Sequence, residues 1–203
     1  MYTAPQLRID DWEIVSAIIR RYPFVSLIGL IDGRPTITKT PVILHGRTVS
    51  FHLAKRNELA DVIAAGGAIT MLVDGPNRYI SPTVYATVPE VPTWNYVVIQ
   101  CELQARIVND RAWILQHHDE LVAAFERDGW RNELPERYRD GLHAMLVGVS
   151  AEVTSFAAKF KLGQEYPVAD FRGVYRALLA RDPHDELARI MREVYGERLH
   201  DAT

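Results

Sequence analysis

Chemistry-bearing residues cluster in three stretches of this sequence. The first is Phe51-His52-Leu53-Ala54-Lys55-Arg56-Asn57, where His52 alternates with apolar neighbours and is followed by two cations. A neutral imidazole can ligate a metal, including heme iron through an axial bond. Lys55 and Arg56 suit propionates or a phosphate. The bland alternative is a solvent-facing strand histidine beside ordinary surface charges. The second stretch runs from Gly75 to Tyr96 and concentrates prolines, Tyr79, Ser81, Tyr85, Thr93, Trp94, Asn95 and Tyr96. Prolines hold a non-repetitive backbone in one shape at low entropy cost. Aromatic rings provide flat apolar walls, and Ser, Thr and Asn provide neutral hydrogen bonds. A flat conjugated cofactor needs both, although the same residues could plug a barrel end or line a dimer interface. The third stretch is Lys159-Phe160-Lys161-Leu162-Gly163-Gln164-Glu165. Its two lysines share one face of a strand and could clamp an anion, or form a solvated edge.

These residues need a scaffold, and the hydrophobic pattern describes one. Trp12 to Arg21 reads as an amphipathic helix behind Asp10 and Asp11. Phe24–Ile31 and Pro35–Leu44 read as strands joined by the hairpin signal Asp32-Gly33, and Thr48–Ala54 as a third. Asn57 caps a helix over Glu58–Ala65 that Gly66-Gly67 ends. Ala68–Val73 reads as a strand broken by Gly75-Pro76-Asn77, and Val97–Val108 as a long strand. Asn109 or Asp110 caps a helix to about Arg127, Pro135 to about Met145 forms another, and Leu146–Phe156 returns as a strand. Asp182-Pro183 is expected to open the final helix. His117 and His118 are expected on the surface of their helix, and Cys101 is expected as a buried small hydrophobe. Short hairpin-linked strands with late helices indicate an α+β antiparallel barrel with peripheral helices rather than a βαβ sheet.

Composition narrows the function classes. The 203 residues are 48% apolar and 24% charged, with a formal net charge of −3. That fits one globular domain, residues 1–203, carrying a C-terminal helical extension over 167–203. The acidic balance offers no basic face for displacing phosphate counterions, so DNA is not an expected partner. A lone cysteine precludes an intramolecular disulfide. No apolar run reaches the roughly 18–20 residues of a membrane span, and the opening residues lack the pattern of a signal peptide, so a cytoplasmic location is expected. The hydrolase elbow, the Rossmann fingerprint and the Walker loop are all missing from the sequence.

Taken together, the three stretches resemble the PaiB family of FMN-binding negative transcriptional regulators. That family shows Gly-His-Leu-Ala-Arg-x-Asn-Pro, then Gly-Pro…Tyr-Ile-Ser-Pro…Val-Pro-Thr-Trp-Asn-Tyr, then Lys-x-Lys-Leu-Ser-Gln. The resemblance extends to about Gln164 and implies an FMN-binding split β-barrel of Greek-key type, a homodimer, and cofactor sites near the subunit interface. Typical regulators carry Ser-x-Trp-Tyr and a longer lysine-containing loop. Here Ser81-Pro82-Thr83-Val84-Tyr85 and a short Ala-Thr-Val-Pro-Glu link stand instead. In this detail, and in Gln164-Glu165, the chain is similar to the heme-dependent piperazate synthases, which cyclise N5-hydroxyornithine by forming an N–N bond. The chain departs from the family pattern at Ile99-Gln100-Cys101-Glu102-Leu103, at Gly163 and at Lys39.

The resemblance implies a small-molecule substrate and heme b, with His52 as the axial iron ligand and FMN as the alternative cofactor. Lys55, Arg56 and Lys161 would meet propionates or a substrate carboxylate. Tyr79, Ser81, Thr93 and Asn95 would supply hydrogen bonds and Trp94 a wall. Glu102 and Glu165 are the candidate general bases. The competing reading is an FMN-binding regulator without this activity.

Overall fold

A computed structural model describes residues 1–126 and 135–200 of the chain. Among the described residues eight strands carry the fold: β1 (Arg8–Ile9), β2 (Phe24–Ile31), β3 (Arg34–Pro41), β4 (Ile43–His45), β5 (Thr48–Ala54), β6 (Ile69–Ile80), β7 (Thr93–Val108) and β8 (Leu146–Lys161). Six α-helices accompany them: α1 (Trp12–Arg21), α2 (Glu58–Ala64), α3 (Arg111–Phe125), α4 (Glu136–His143), α5 (Val168–Arg181) and α6 (Glu186–Tyr195). The strands form one antiparallel sheet in the order β3-β2-β6-β7-β8-β5-β4, with β1 paired to β8. The hydrogen-bonded path is open rather than closed into a ring. The α+β expectation therefore holds.

Several boundaries differ from the sequence reading, for local reasons. β6 does not stop at Val73 but continues through Gly75-Pro76-Asn77 to Ile80. Gly75 lies so close to the next strand that a Cβ there would sit 2.8 Å from the Cβ of Val97. The glycine thus serves close strand packing, not a break. β7 starts at Thr93, and β8 runs on to Lys161, so the Trp-Asn-Tyr and Lys-Phe-Lys motifs are both strand. The expected strand over 35–44 divides into β3 and β4 at Val42. The last helix is capped by Asp185 rather than Asp182; its carboxylate accepts from the amides of Leu187 (2.9 Å) and Ala188 (3.0 Å). Asp182 instead accepts from the amide of His184. Asn57 caps α2 as expected, accepting from Leu59 N at 3.0 Å. Asp110 does the same for α3.

The chain forms two compact units. One comprises residues 1–15, 74–99 and 157–203; the other comprises 16–73 and 100–156. In the first unit α5 and α6 bury Phe171, Val174 and Ile190, and Phe171 meets Tyr195 edge-on at 6.2 Å. The buried Asp185 also accepts from Arg78 Nε at 2.7 Å, which ties the helix cap to β6. In the second unit Val49, Phe51 and Leu53 of β5 point into a core shared with Val147, Val149 and Ala151 of β8. Cys101 is fully buried in this unit, and loss of solvation pushes its thiol up to about 12. Because the folded thiol titrates above the ordinary value of 9.0, the unfolded chain loses its proton first as pH rises. Stability from this group is complete below pH 9 and declines as pH climbs toward 12. Alkylation of Cys101 at pH 8 is expected only upon unfolding; mass spectrometry showing rapid modification of native protein would contradict the burial.

Candidate functional site

The second unit holds a cavity of about 460 Å³ lined by three histidines, His52, His118 and His143. Simple periodicity builds it. In β5 the inward alternation of Val49, Phe51 and Leu53 leaves His52 on the opposite face. α3 contributes His118, Leu121, Val122 and Phe125, which follow the i, i+3, i+4, i+7 spacing of one helical face. α4 contributes Arg139, Leu142 and His143 at i, i+3, i+4. Met145, Leu146 and Glu126 complete the described lining.

The approach of α3 to the strands depends on Gly148. This residue is the β8 register partner of His52. A Cβ at Gly148 would fall 2.3 Å from Trp113 Cζ3, so the indole occupies the space a side chain would take. Trp113 stacks on His117 (5.2 Å between centroids, 17° between planes), and His117 meets His52 edge-on at 5.5 Å. The expectation that His117 lies at the surface is therefore overturned: it is 3% exposed, with neither ring nitrogen hydrogen-bonded within the described structure. His118 turns toward the cavity and meets His143 edge-on at 5.3 Å. A glycine within a strand-patterned segment, opposite a chemistry-bearing histidine, was the available signal for this close approach.

Burial governs the ionisation of these rings. Desolvation lowers His117 to about 4, assisted by His52. It also lowers His52, with His118 and His143 adding like-charge repulsion, and it lowers His143, with His118 and Arg139 adding to the effect. All three are neutral near pH 7, with lone pairs available to a metal or a proton. Among the described residues no three His, Cys, Asp or Glu side chains are grouped to hold a bare metal ion. A histidine in the lining of a largely apolar cavity could hold the iron of a ligand that brings its own chelation.

The other residues singled out by the sequence fall as follows. Lys55 lines an adjoining cavity of about 360 Å³ with Asn109, Arg111 and Asp140, whereas Arg56 is exposed. Glu102 accepts from Thr70 Oγ1 (2.9 Å) and Gln100 Nε2 (2.8 Å) and is absent from the lining of the histidine cavity. Residues Tyr79, Ser81, Thr93, Trp94, Asn95, Lys161 and Glu165 belong to the first unit. There Tyr79 and Trp94 meet edge-on at 6.1 Å and are 48% and 55% exposed. Lys161 Nζ donates to Thr93 Oγ1. Ser81 accepts from the Thr83 amide and so caps the short 3₁₀ turn Pro82–Val84. Asn95 is fully buried, and neither its amide oxygen nor its amide nitrogen has a described partner. Glu165 is exposed in the turn after β8.

Sequence reasoning missed Asp170, which organises the loop in this unit. Its carboxylate accepts from the amides of Ala86 and Thr87 and from the Thr87 hydroxyl. These bonds, the hydroxyl first, hold its pKa below the usual carboxylate range. Gln164 clasps the end of β8, accepting from Leu162 N and donating to Phe160 O.

The family model described as Putative FMN-binding domain matches residues 1–155. The chain belongs to this family. Over 178 residues it is 28% identical to an uncharacterised protein of Aspergillus fumigatus, a match covering 66% of this chain and 65% of that protein. The chain thus spans less than two thirds of that relative's length. Among solved structures, the flavocytochrome Anf3 of Azotobacter vinelandii aligns with a TM-score of 0.63 and 18% identity, covering 76% of this chain and 69% of that one. The FAD and heme binding protein of Mycobacterium smegmatis aligns with a TM-score of 0.56 and 14% identity, covering 76% and 73%. At these identities the likeness is one of fold.

The histidine cavity depends on the missing side chain at Gly148. Gly148→Ala is expected to displace Trp113 and cost about 1–3 kcal/mol by overpacking. Thermal melting with near-ultraviolet circular dichroism checks this; an unchanged melting temperature and tryptophan signal would contradict the assigned packing.

Proposed function

We propose that this chain binds heme b in the histidine cavity, where His52 would hold the iron, and acts as an enzyme that cyclises an N-hydroxylated diamino acid of the N5-hydroxyornithine type. The observation that carries the heme reading is a neutral, half-buried imidazole on a strand, facing a largely apolar cavity without a bare-metal ligand set. Two solved structures of similar fold are described as a flavocytochrome and a FAD and heme binding protein, which supports the same reading. The cyclisation rests on the sequence resemblance to piperazate synthases.

Bound heme would supply a Lewis-acidic iron that weakens the N–O bond of the substrate. The α-amine then forms the N–N bond as the N–O bond breaks. The amine loses one proton and the departing hydroxide gains one, so water leaves and no external oxidant or reductant is consumed. The chain's share is to orient, exclude water and move that proton. His118 and His143 line the cavity, and the neutral imidazole of His143 can accept the proton from the amine. Of the carboxylates named from the sequence, Glu102 is absent from this lining and Glu165 belongs to the first unit. Apolar walls from Leu121, Val122, Phe125 and Met145 exclude solvent. Holding both reacting nitrogens in one cavity makes the attack unimolecular, an advantage of about 7–11 kcal/mol when alignment is good. Lys55 and Arg56, named from the sequence for the acidic groups, are absent from this lining: Lys55 lines the adjoining cavity and Arg56 is exposed.

A second reading, an FMN-binding protein of the PaiB regulator type, is favoured by the family's description and by one observation in the first unit. Asn95 presents a buried amide without a described partner beside the Lys161–Thr93 pair. Tyr79, Ser81 and Trp94 would then contribute to a flavin site.

The absorption spectrum of purified protein separates the two readings: a Soret band is expected, and a flavin doublet without one would favour FMN. His52→Ala is expected to abolish heme retention while leaving the circular dichroism spectrum unchanged. Retention with an unaltered spectrum would remove His52 as ligand. Incubating heme-loaded protein with N5-hydroxyornithine should yield the cyclic hydrazine, detected by mass spectrometry. Absence of turnover would leave heme binding and remove the cyclase.

A further inference from the structure

Arg139 is the cationic side chain in the described lining of the histidine cavity, and it was not singled out by any motif. It sits one turn before His143 on the α4 face that carries Leu142 toward the same space. Its Nε is buried and has no hydrogen-bond partner among the described residues. The adjacent carboxylate, Asp140, is engaged elsewhere by Arg111 Nη2. Glu126 also lines the cavity, but no ion pair between it and Arg139 exists in the described structure. An arginine cannot shed its charge to suit an apolar setting, so a buried, unpaired donor of this kind is costly unless a ligand completes it. A guanidinium matches a carboxylate in geometry as well as charge.

We propose that Arg139 is the carboxylate anchor of this cavity, and that the cavity takes an amphiphilic carboxylic acid whose apolar body lies against Leu121, Val122, Phe125 and Met145 while its acid group meets Arg139. The location of the site rests on the same cavity as the proposed function, and a heme propionate and the carboxylate of the substrate amino acid are the two sources of the acid; the recognition chemistry is shared. Arg139 thereby takes the role the sequence reading gave to Lys55 and Arg56. Its place in the same lining as His52 would orient the bound molecule by its acidic end.

The decisive test uses the protein without heme, so that it fails or succeeds separately from the heme reading. Fluorescence titration compares dansyl-norvaline with its carboxamide. The wild-type protein is expected to prefer the acid by about tenfold, the return from one charge-assisted interaction. Arg139→Gln should lose that preference while binding the amide as before, and Arg139→Lys should retain part of it. Melting curves establish that each variant is folded. A wild-type protein that binds the acid no better than the amide, or that binds neither, overturns the proposal. So does an Arg139→Gln variant that keeps the preference. Two further arms identify the source of the acid. Weaker binding by Arg139→Gln of heme but not of heme dimethyl ester assigns Arg139 to a propionate. Weaker binding of N5-hydroxyornithine but not of its decarboxylated counterpart to the heme-loaded variant assigns it to the substrate.

Discussion

The absent side chain at Gly148 sets how closely α3 can approach the strands of the second unit. A β-strand offers two faces, and β5 spends one of them on the apolar core through Val49, Phe51 and Leu53. His52 is left on the other face, where it would be an ordinary solvated residue if nothing covered it. Its register partner is a glycine, and Trp113 fills the resulting gap. The indole carries His117 with it, and His117 meets His52. One missing Cβ therefore converts a surface strand into the floor of a site.

Covering the site also decides its electrostatics. Each imidazole loses hydration as the helices close over it, and neighbouring histidines add repulsion whenever one becomes protonated. The low-energy state is a group of neutral rings with available lone pairs. Arg139 adds a guanidinium to the same lining. The cavity thus combines imidazoles, apolar walls, the Arg139 guanidinium and the Glu126 carboxyl group.

The first unit solves a different problem, the immobilisation of a proline-rich loop lacking regular secondary structure. Its backbone donors need partners, and buried Asp170 satisfies two of them as well as the Thr87 hydroxyl. Ser81 closes the 3₁₀ turn, and Gln164 secures the strand end below Gly163, whose φ of 87° favours glycine. Arg198 donates to the carbonyls of Gln164 and Tyr166, adding the C-terminal segment to the same network. Tyr79 and Trp94 remain half exposed on this framework, available as flat apolar surfaces.

Local pattern alone determined a good part of this protein. Alternation in β5 placed His52 opposite the core, Asn57 and Asp110 declared their caps, and the strand-then-helix order indicated an α+β antiparallel fold. Those features depend on neighbours a few residues away. The roles of His117, His118, His143 and Arg139 depended instead on which elements meet. His117 looked solvated because its helix neighbours are polar, yet its surroundings come from Trp113 packed on a glycine 35 positions farther along. Likewise Gly75-Pro76 reads locally as a break, but close packing against Val97 keeps it within a strand. Asp170 and the Arg78–Asp185 pair join segments about a hundred residues apart or nearly so. Burial, which sets both ionisation and the need for partners, is a property of the assembled chain; only the tertiary structure could decide it.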